Sequence, residues 1–476
     1  MKNSKLIDLL KAIPSDEYDA LKDFVASPYF NKKERLTTFL AIVLKEGPDF
    51  RTSRVEKDKI HDRLFPGQVY DDKQIRYLMS DLCKLLDQFL LIQRFNANPV
   101  KRQLDLLTIY DESGLEKYYH QEATKLEKHF VESPFRNDVY FLDHLTFSTI
   151  KDRHFQQLSI RKFDENLQWV SDDLDRYYFL QKLKYASMML DRQAIITADY
   201  HLNISKEWLM HLQQADFFGE TIIEIYFTIL MSAMEEGEEQ HFSKLKQLLA
   251  HQPDSIPSGE LADMYRFAIN YCARKIRKGQ SQYVEEALEL YVTGIDSRLF
   301  LEENYLSPWT FTNVVKLALR LKRYDWIAAF IPKYAQLLPP NFRENALHYN
   351  YAELYYYTQD FDQALEHLNQ VAYADLNYHL GARVMLAKIY FETAEENALL
   401  SLLAAFSVFL KRNKNISSNI KHTYLNFCDL LFQLLRRNPK KMENLKAKIE
   451  KTSLLTDRDW LLQAYERALV KKENLA

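Results

Sequence analysis

The sequence predicts an all-α protein in which a helical N-terminal module precedes a degenerate α–α superhelix. Three observations carry that expectation. The 476 residues include only nine glycines, about 2% of the chain, where about 7% is usual. Hairpins and phosphate-cradling loops draw on glycine wherever φ must turn positive. Apolar residues recur at helical spacing almost from end to end. From about residue 100 the helical segments fall into pairs near 40 residues in length, the range of helical solenoids. With 47% apolar and 27% charged residues, the chain can bury a core and is not of the disordered type.

In the N-terminal module the clearest helix covers 71–95. Ile75, Leu78, Met79, Leu82, Leu85, Leu86, Phe89 and Leu90 draw one apolar stripe along it. Asp71 or Asp72 caps its start, and the run from Asn96 to Pro99 stops it. Segments 6–13, 18–26 and 36–44 read as shorter helices, punctuated by Pro14, Pro28 and Gly47-Pro48. Phe65-Pro66-Gly67 makes another turn. This module is expected to span 1–98.

A connecting region, 99–215, carries aromatic-rich helices at 115–131, 135–155 and 174–190. Beyond it, 221–234 pairs with 241–251, and 264–278 with 282–292. Repeats are assigned to 216–411. Helices at 421–437 and 457–472, within 412–476, cover the terminal apolar end, as capping elements of a solenoid must. Ser-Pro recurs at Ser27-Pro28, Ser133-Pro134 and Ser307-Pro308. It reads as helix punctuation, with serine at the N-cap and proline at N1.

Small Ala352 is followed by Tyr355, Phe361, Ala364, Leu368 and Val371 within NALHYNYAELYYYTQDFDQALEHLNQV, residues 345–371. This stretch resembles a tetratricopeptide repeat. The next unit is similar through Ala387, Tyr390, Leu399, Leu403 and Phe406, and the preceding one through Val315, Ala318, Tyr324, Ile327, Ile331, Tyr334 and Pro339. Tyr355 and Tyr390 stand 35 residues apart, close to that family's period of about 34. Gln359 departs from the pattern where glycine is common, and Glu396 where an aromatic is expected. The fit covers 308–411 and weakens over 216–300.

Little chemistry survives inspection of the spacing. The glycines at 47, 67, 114, 219, 237, 259, 279, 294 and 381 never approach within fifteen residues of each other, which excludes G-x-G-x-x-G, P-loop and G-x-S-x-G loops. No two of the thirteen histidines lie closer than nine residues, so H-E-x-x-H is absent. Glu238-Glu-Gln-His241 is a lone E-x-x-H in a charged turn. Cys83, Cys272 and Cys428 form no CxxC and suit a reducing compartment. Cys272 has Arg274 and Lys275 beside it, yet shares a helical face with Ala268 and Ile269, the place of a structural thiol. No catalytic residue, metal or cofactor is expected.

Charges interrupt residues 1–11, and the longest uncharged apolar-rich run, 397–410, is fourteen residues, short of the roughly 20 that a span needs. A cytoplasmic protein without a membrane span is the expectation. Net charge is −3, and 17 Lys/Arg against 15 Asp/Glu over 1–95 make no nucleic-acid footprint.

The resemblance implies a non-enzymatic scaffold or adaptor that holds a peptide or helix of a partner protein in a concave groove. Its register places Trp309, Asn313, Lys316 and Arg320 in that groove, then Tyr349, Asn350, Glu353, Tyr356 and Tyr357, then Met385 and Lys388. The carboxylate clamp of chaperone-tail binders is not expected, because Tyr349 and Glu353 stand at the clamp's Lys and Asn places. The alternative is a transcriptional regulator in which 60–65, a turn and helix 71–95 imitate a helix-turn-helix. Against it, Asp81 and Asp87 interrupt the cations Lys73, Arg76 and Lys84 on that helix.

Overall fold

Twenty-three α-helices and one two-stranded hairpin make up the α and β structure among the described residues. In this computed structural model those residues are 3–50, 55–158, 161–194, 199–235, 237–251, 256–372, 376–414, 416–436 and 439–473. The chain divides into two units, Met1–Phe179 and Leu180–Ala476.

The first unit begins with α1 (Lys5–Ala12), α2 (Tyr18–Ala26), α3 (Glu34–Leu44), α4 (Lys57–Leu64) and the long α5 (Asp72–Asn96). Helix α5 organises this part, since α1, α2, α3 and α4 all pack on it. Its stripe of Ile75, Leu82, Leu86 and Phe89 closes a core with Leu6, Leu10, Leu21, Phe39 and Ile60. The Asp71 carboxylate caps it, accepting from the backbone N–H groups of Lys73 at 2.8 Å and Gln74 at 3.3 Å. Then come α6 (Pro99–Glu112), α7 (Glu116–Glu132) and α8 (Asp138–Gln157) around Leu107, Leu126, Phe130, Phe147 and Ile150. The division between units falls within α9 (Asn166–Gln193).

The second unit continues with α10 (Lys206–Gln214), α11 (Thr221–Met234), α12 (Glu239–His251), α13 (Ser258–Arg277) and α14 (Tyr283–Asp296). A hairpin follows, β1 (Leu301–Glu302) antiparallel to β2 (Tyr305–Leu306), with Leu301 opposite Leu306. Its turn residues Glu303 and Asn304 both have positive φ, the geometry of a type I′ turn. Next are α15 (Pro308–Arg320), α16 (Tyr324–Ala335), α17 (Pro340–Tyr357), α18 (Phe361–Gln370), α19 (Leu376–Glu392) and α20 (Glu396–Arg412). The last three are α21 (Ser418–Arg436), α22 (Pro439–Lys451) and α23 (Arg458–Glu473). Each helix from α13 to α20 packs on its successor, while α15 also packs on α17 and α17 on α19. Leu399, Phe406, Phe427, Leu431 and Leu461 join α20, α21 and α23 in one core.

Glycine is scarce, yet left-handed turns are not. After α13, α14, α15, α17 and α19 the chain turns through positive φ at Gly279, Arg298, Lys322, Gln359 and Ala394. Each turn returns two backbone bonds into the helix it ends. At Gln359, for example, its own N–H reaches Tyr356 O at 3.2 Å and the Asp360 N–H reaches Tyr355 O at 2.9 Å. This is the Schellman arrangement, normally completed by glycine. Only one of these five turns uses it.

One expectation of the sequence is corrected here. Ser27 and Ser133 close helices α2 and α7 instead of opening new ones. Their ψ values of 121° and 123° are the extended conformation that a following proline imposes. Ser307 does stand at the N-cap of α15 with Pro308 at N1, but its side chain makes no capping bond. The stop at Asn96–Pro99 is also a start. Asn98 caps α6 through Lys101 N–H at 3.0 Å, and Pro99 opens that helix.

Candidate functional site

Four helices of the second unit present matching stripes to one cavity of about 600 Å³, within the size range of ligand sites. Residues three, four and seven apart share a helix face. Helix α13 contributes Asn270, Ala273 and Arg277, and α15 contributes Asn313, Lys316, Leu317 and Arg320. Helix α17 adds Tyr349, Glu353, Tyr356 and Tyr357, and α19 adds Gly381, Val384, Met385 and Lys388. Tyr291 of α14, Tyr424 of α21 and the Thr456-Asp457 turn complete the lining.

Nine of the eleven residues that the sequence register placed in a groove therefore line this cavity. Trp309 and Asn350 do not. Trp309 is 53% exposed and stacks on Tyr378, with ring centroids 6.2 Å apart, at a separate concavity shared with Pro340 and Phe342. Asn350 is wholly buried. Its side-chain amide donates to Ala346 O at 2.7 Å and Thr312 Oγ1 at 3.2 Å, so it ties α17 to α15. Tyr349 is a wall of the cavity, 7% exposed. Gly381 makes room for it: a β-carbon there would stand 2.7 Å from the Tyr349 hydroxyl.

Among the described residues, the charges fall into two pairs and two unpaired guanidinium groups. Lys388 Nζ lies 2.9 Å from Asp457 Oδ1 with side-chain exposures of 12% and 28%, and it also lies 4.8 Å from the Tyr356 ring centroid. Burial works to lower the Lys388 pKa, but the charges of Asp457 and Tyr356 outweigh it and the net shift is upward. Burial works to raise Asp457, and Lys388 reverses that, holding the carboxyl below its usual range. Burial pushes Tyr356 up to about 12, and burial together with Glu353 lifts Tyr349 well above the ordinary phenol value. The exposed Lys316 places its Nζ 3.8 Å from Oε1 of the buried Glu353. Among the described residues, Arg277 and Arg320 form no ion pair. The cavity lining thus carries four cations and two carboxylates.

Sequence reasoning missed Arg277, Tyr291, Tyr424 and Asp457. Arg277 had a legible signal, because Asn270 to Arg277 repeats the seven-residue step from Asn313 to Arg320. Tyr424 and Asp457 had none, since only the folding back of the last helices brings them here. Also missed, in the first unit, are Glu116, His120 and His154, whose possible ligand atoms all lie within 4.8 Å of one another.

The thiol of Cys272 is fully buried, and burial pushes it up to about 12, as for a structural cysteine. On α5, Arg76 pairs with Asp72 at 2.8 Å and Lys84 with Asp81 at 3.1 Å. No helix among the described residues is long and apolar enough to cross a membrane. No known family, curated protein or solved structure matches the chain.

Proposed function

We propose that residues 216–411 form a degenerate tetratricopeptide-like superhelix and that the protein is a non-enzymatic scaffold or adaptor. Its groove holds a peptide or helix of a partner protein, in the cytoplasm. The observation that carries this reading is the common stripe on α13, α15, α17 and α19, the leading helices of four successive pairs, all facing one cavity. The recurrent left-handed turn after each of those helices supports the repeat assignment. Aromatic rings, two amides and guanidinium groups in that lining suit a peptide, since aromatics and Arg are frequent hot spots and amides bond exposed backbone.

The direction of the pKa shifts supports binding over catalysis. A general acid or base works best with a pKa near the working pH. Here Lys388 and the tyrosines are shifted up and Asp457 down, all away from neutrality. The paired cations of α5 add nothing to the nucleic-acid alternative.

A displayed-peptide selection against the full chain tests the proposal. The selected peptides should lose affinity at least tenfold when Arg320 and Tyr357, both exposed, are replaced together by alanine, with the melting temperature unchanged. Peptides that bind the double variant as tightly as the wild type refute the groove as the site. Tyr349→Ala does not serve this purpose, because removing a buried ring destabilises the fold.

A further inference from the structure

The geometry points to a divalent transition-metal site in the first unit, formed by Glu116 and His120 of α7 and His154 of α8. Glu116 and His120 are one helical turn apart and therefore share a face. His154 Nε2 lies 3.6 Å from Glu116 Oε2, and His120 Nε2 lies 3.7 Å from the same oxygen. Both separations are too long for hydrogen bonds. They are close to the roughly 3.4 Å between neighbouring ligands in a tetrahedron of about 2.0–2.1 Å bonds.

The second observation concerns His154 alone. Its side chain is 9% exposed, and Nε2 is buried with no hydrogen-bond partner. A buried nitrogen left this way is costly unless something binds it. Its other nitrogen, Nδ1, is 2.8 Å from Asp111 Oδ1. A carboxylate only accepts, so Nδ1 carries a proton, and in the neutral imidazole Nε2 then presents a lone pair. That is the carboxylate–histidine arrangement which fixes the ligand tautomer at zinc sites. The Tyr119 ring, stacked on His154 at 3.9 Å, holds the imidazole in plane.

Charge favours a cation here. Asp111 and Glu112 share one guanidinium, Arg153, whose Nε bonds Asp111 at 3.1 Å and whose Nη1 is 3.8 Å from Glu112, and Glu116 adds a third carboxylate beside the two imidazoles. Two imidazoles and one carboxylate are a borderline-soft set that selects zinc over magnesium or calcium. Glu116 and His120 are exposed, so they can swing inward to close the site, and a fourth position stays open to water.

Zinc added to the full chain and read by competition with a chromophoric chelator tests this. Cobalt in its place should show the visible absorption of a four-coordinate ion. One equivalent should bind, and the joint replacement Glu116→Gln and His120→Ala should weaken it at least 100-fold. Both residues are exposed, so the metal-free variant should melt with the wild type. Asp111→Asn should weaken binding about 10–100-fold. Zinc affinity equal in the wild type and the double variant, or no stoichiometric binding to the wild type, overturns the assignment.

Discussion

Lys388 and Asp457, 69 residues apart in sequence, meet at 2.9 Å in the wall of the cavity. Helix α19 and the turn before α23 are thereby tied by one partly buried ion pair. Removing one partner leaves the other charge desolvated. Asp457→Asn should therefore cost about 2–3 kcal/mol, less than for a fully buried pair, as measured by urea denaturation.

The same pair sets two pH limits. Asp457 is depressed below its ordinary 3.8 in the fold, so its contribution is present above that value and is lost as pH falls through the lower folded pKa. Lys388 is raised above 10.5, so its contribution is present below that value and is lost as pH rises through the folded pKa. The wild type should lose more stability than Asp457→Asn at both extremes, and the two curves should run parallel near neutrality.

The contact of Gly381 with Tyr349 leaves no room for a side chain. Gly381→Ala places a β-carbon against the ring, and that ring is held by Tyr378, with centroids 5.3 Å apart. Overpacking of this kind should cost about 1–3 kcal/mol, read as a lower melting temperature.

Ala364 of α18 is fully buried. Ala364→Glu should destabilise by several kcal/mol, because the carboxylate must be desolvated without a partner. Asn369→Glu, exposed on the same helix, should change the midpoint little.

All three cysteines are buried, and burial pushes Cys272 and Cys428 up to about 12. A thiol-specific disulfide reagent at neutral pH should label none of them quickly in the native protein and all three in denaturant.

The left-handed turns allow the opposite kind of change. Lys322, Gln359 and Ala394 have φ values of 55°, 64° and 59°, where a β-carbon costs about 1–2 kcal/mol. Replacing each by glycine should stabilise by about 0.5–1 kcal/mol, because glycine's extra unfolded-state entropy takes back part of the relief. Ala387→Gly, in the interior of α19, should do the reverse. Urea midpoints compare the four.

Helices were legible where apolar spacing and punctuation agreed. Residues 18–26 and 221–234 match α2 and α11 to the residue. Helix α22 went unread because few of its positions are apolar, Leu445 and Ile449 carrying its buried face. The hairpin at Leu301–Leu306 was missed because its turn uses Glu303 and Asn304 without a glycine. The cavity was partly legible because each stripe follows one helix's own period. Trp309 and Asn350 show its limit, since a position near the start of α15 or one step around α17 lies off the lining. The approach of His154 to His120 leaves no trace in spacing, since it depends on how α8 packs beside α7.

Local sequence does not by itself say where α15, α17 and α19 should end. At each exit the intrinsic preference of Lys, Gln or Ala opposes the conformation adopted, so surrounding helices must impose it. A helix pair cut from its neighbours loses that imposition and frays at the turn. Removing one helix pair should loosen the exits of those beside it, and residues 308–412 should unfold as a single cooperative block.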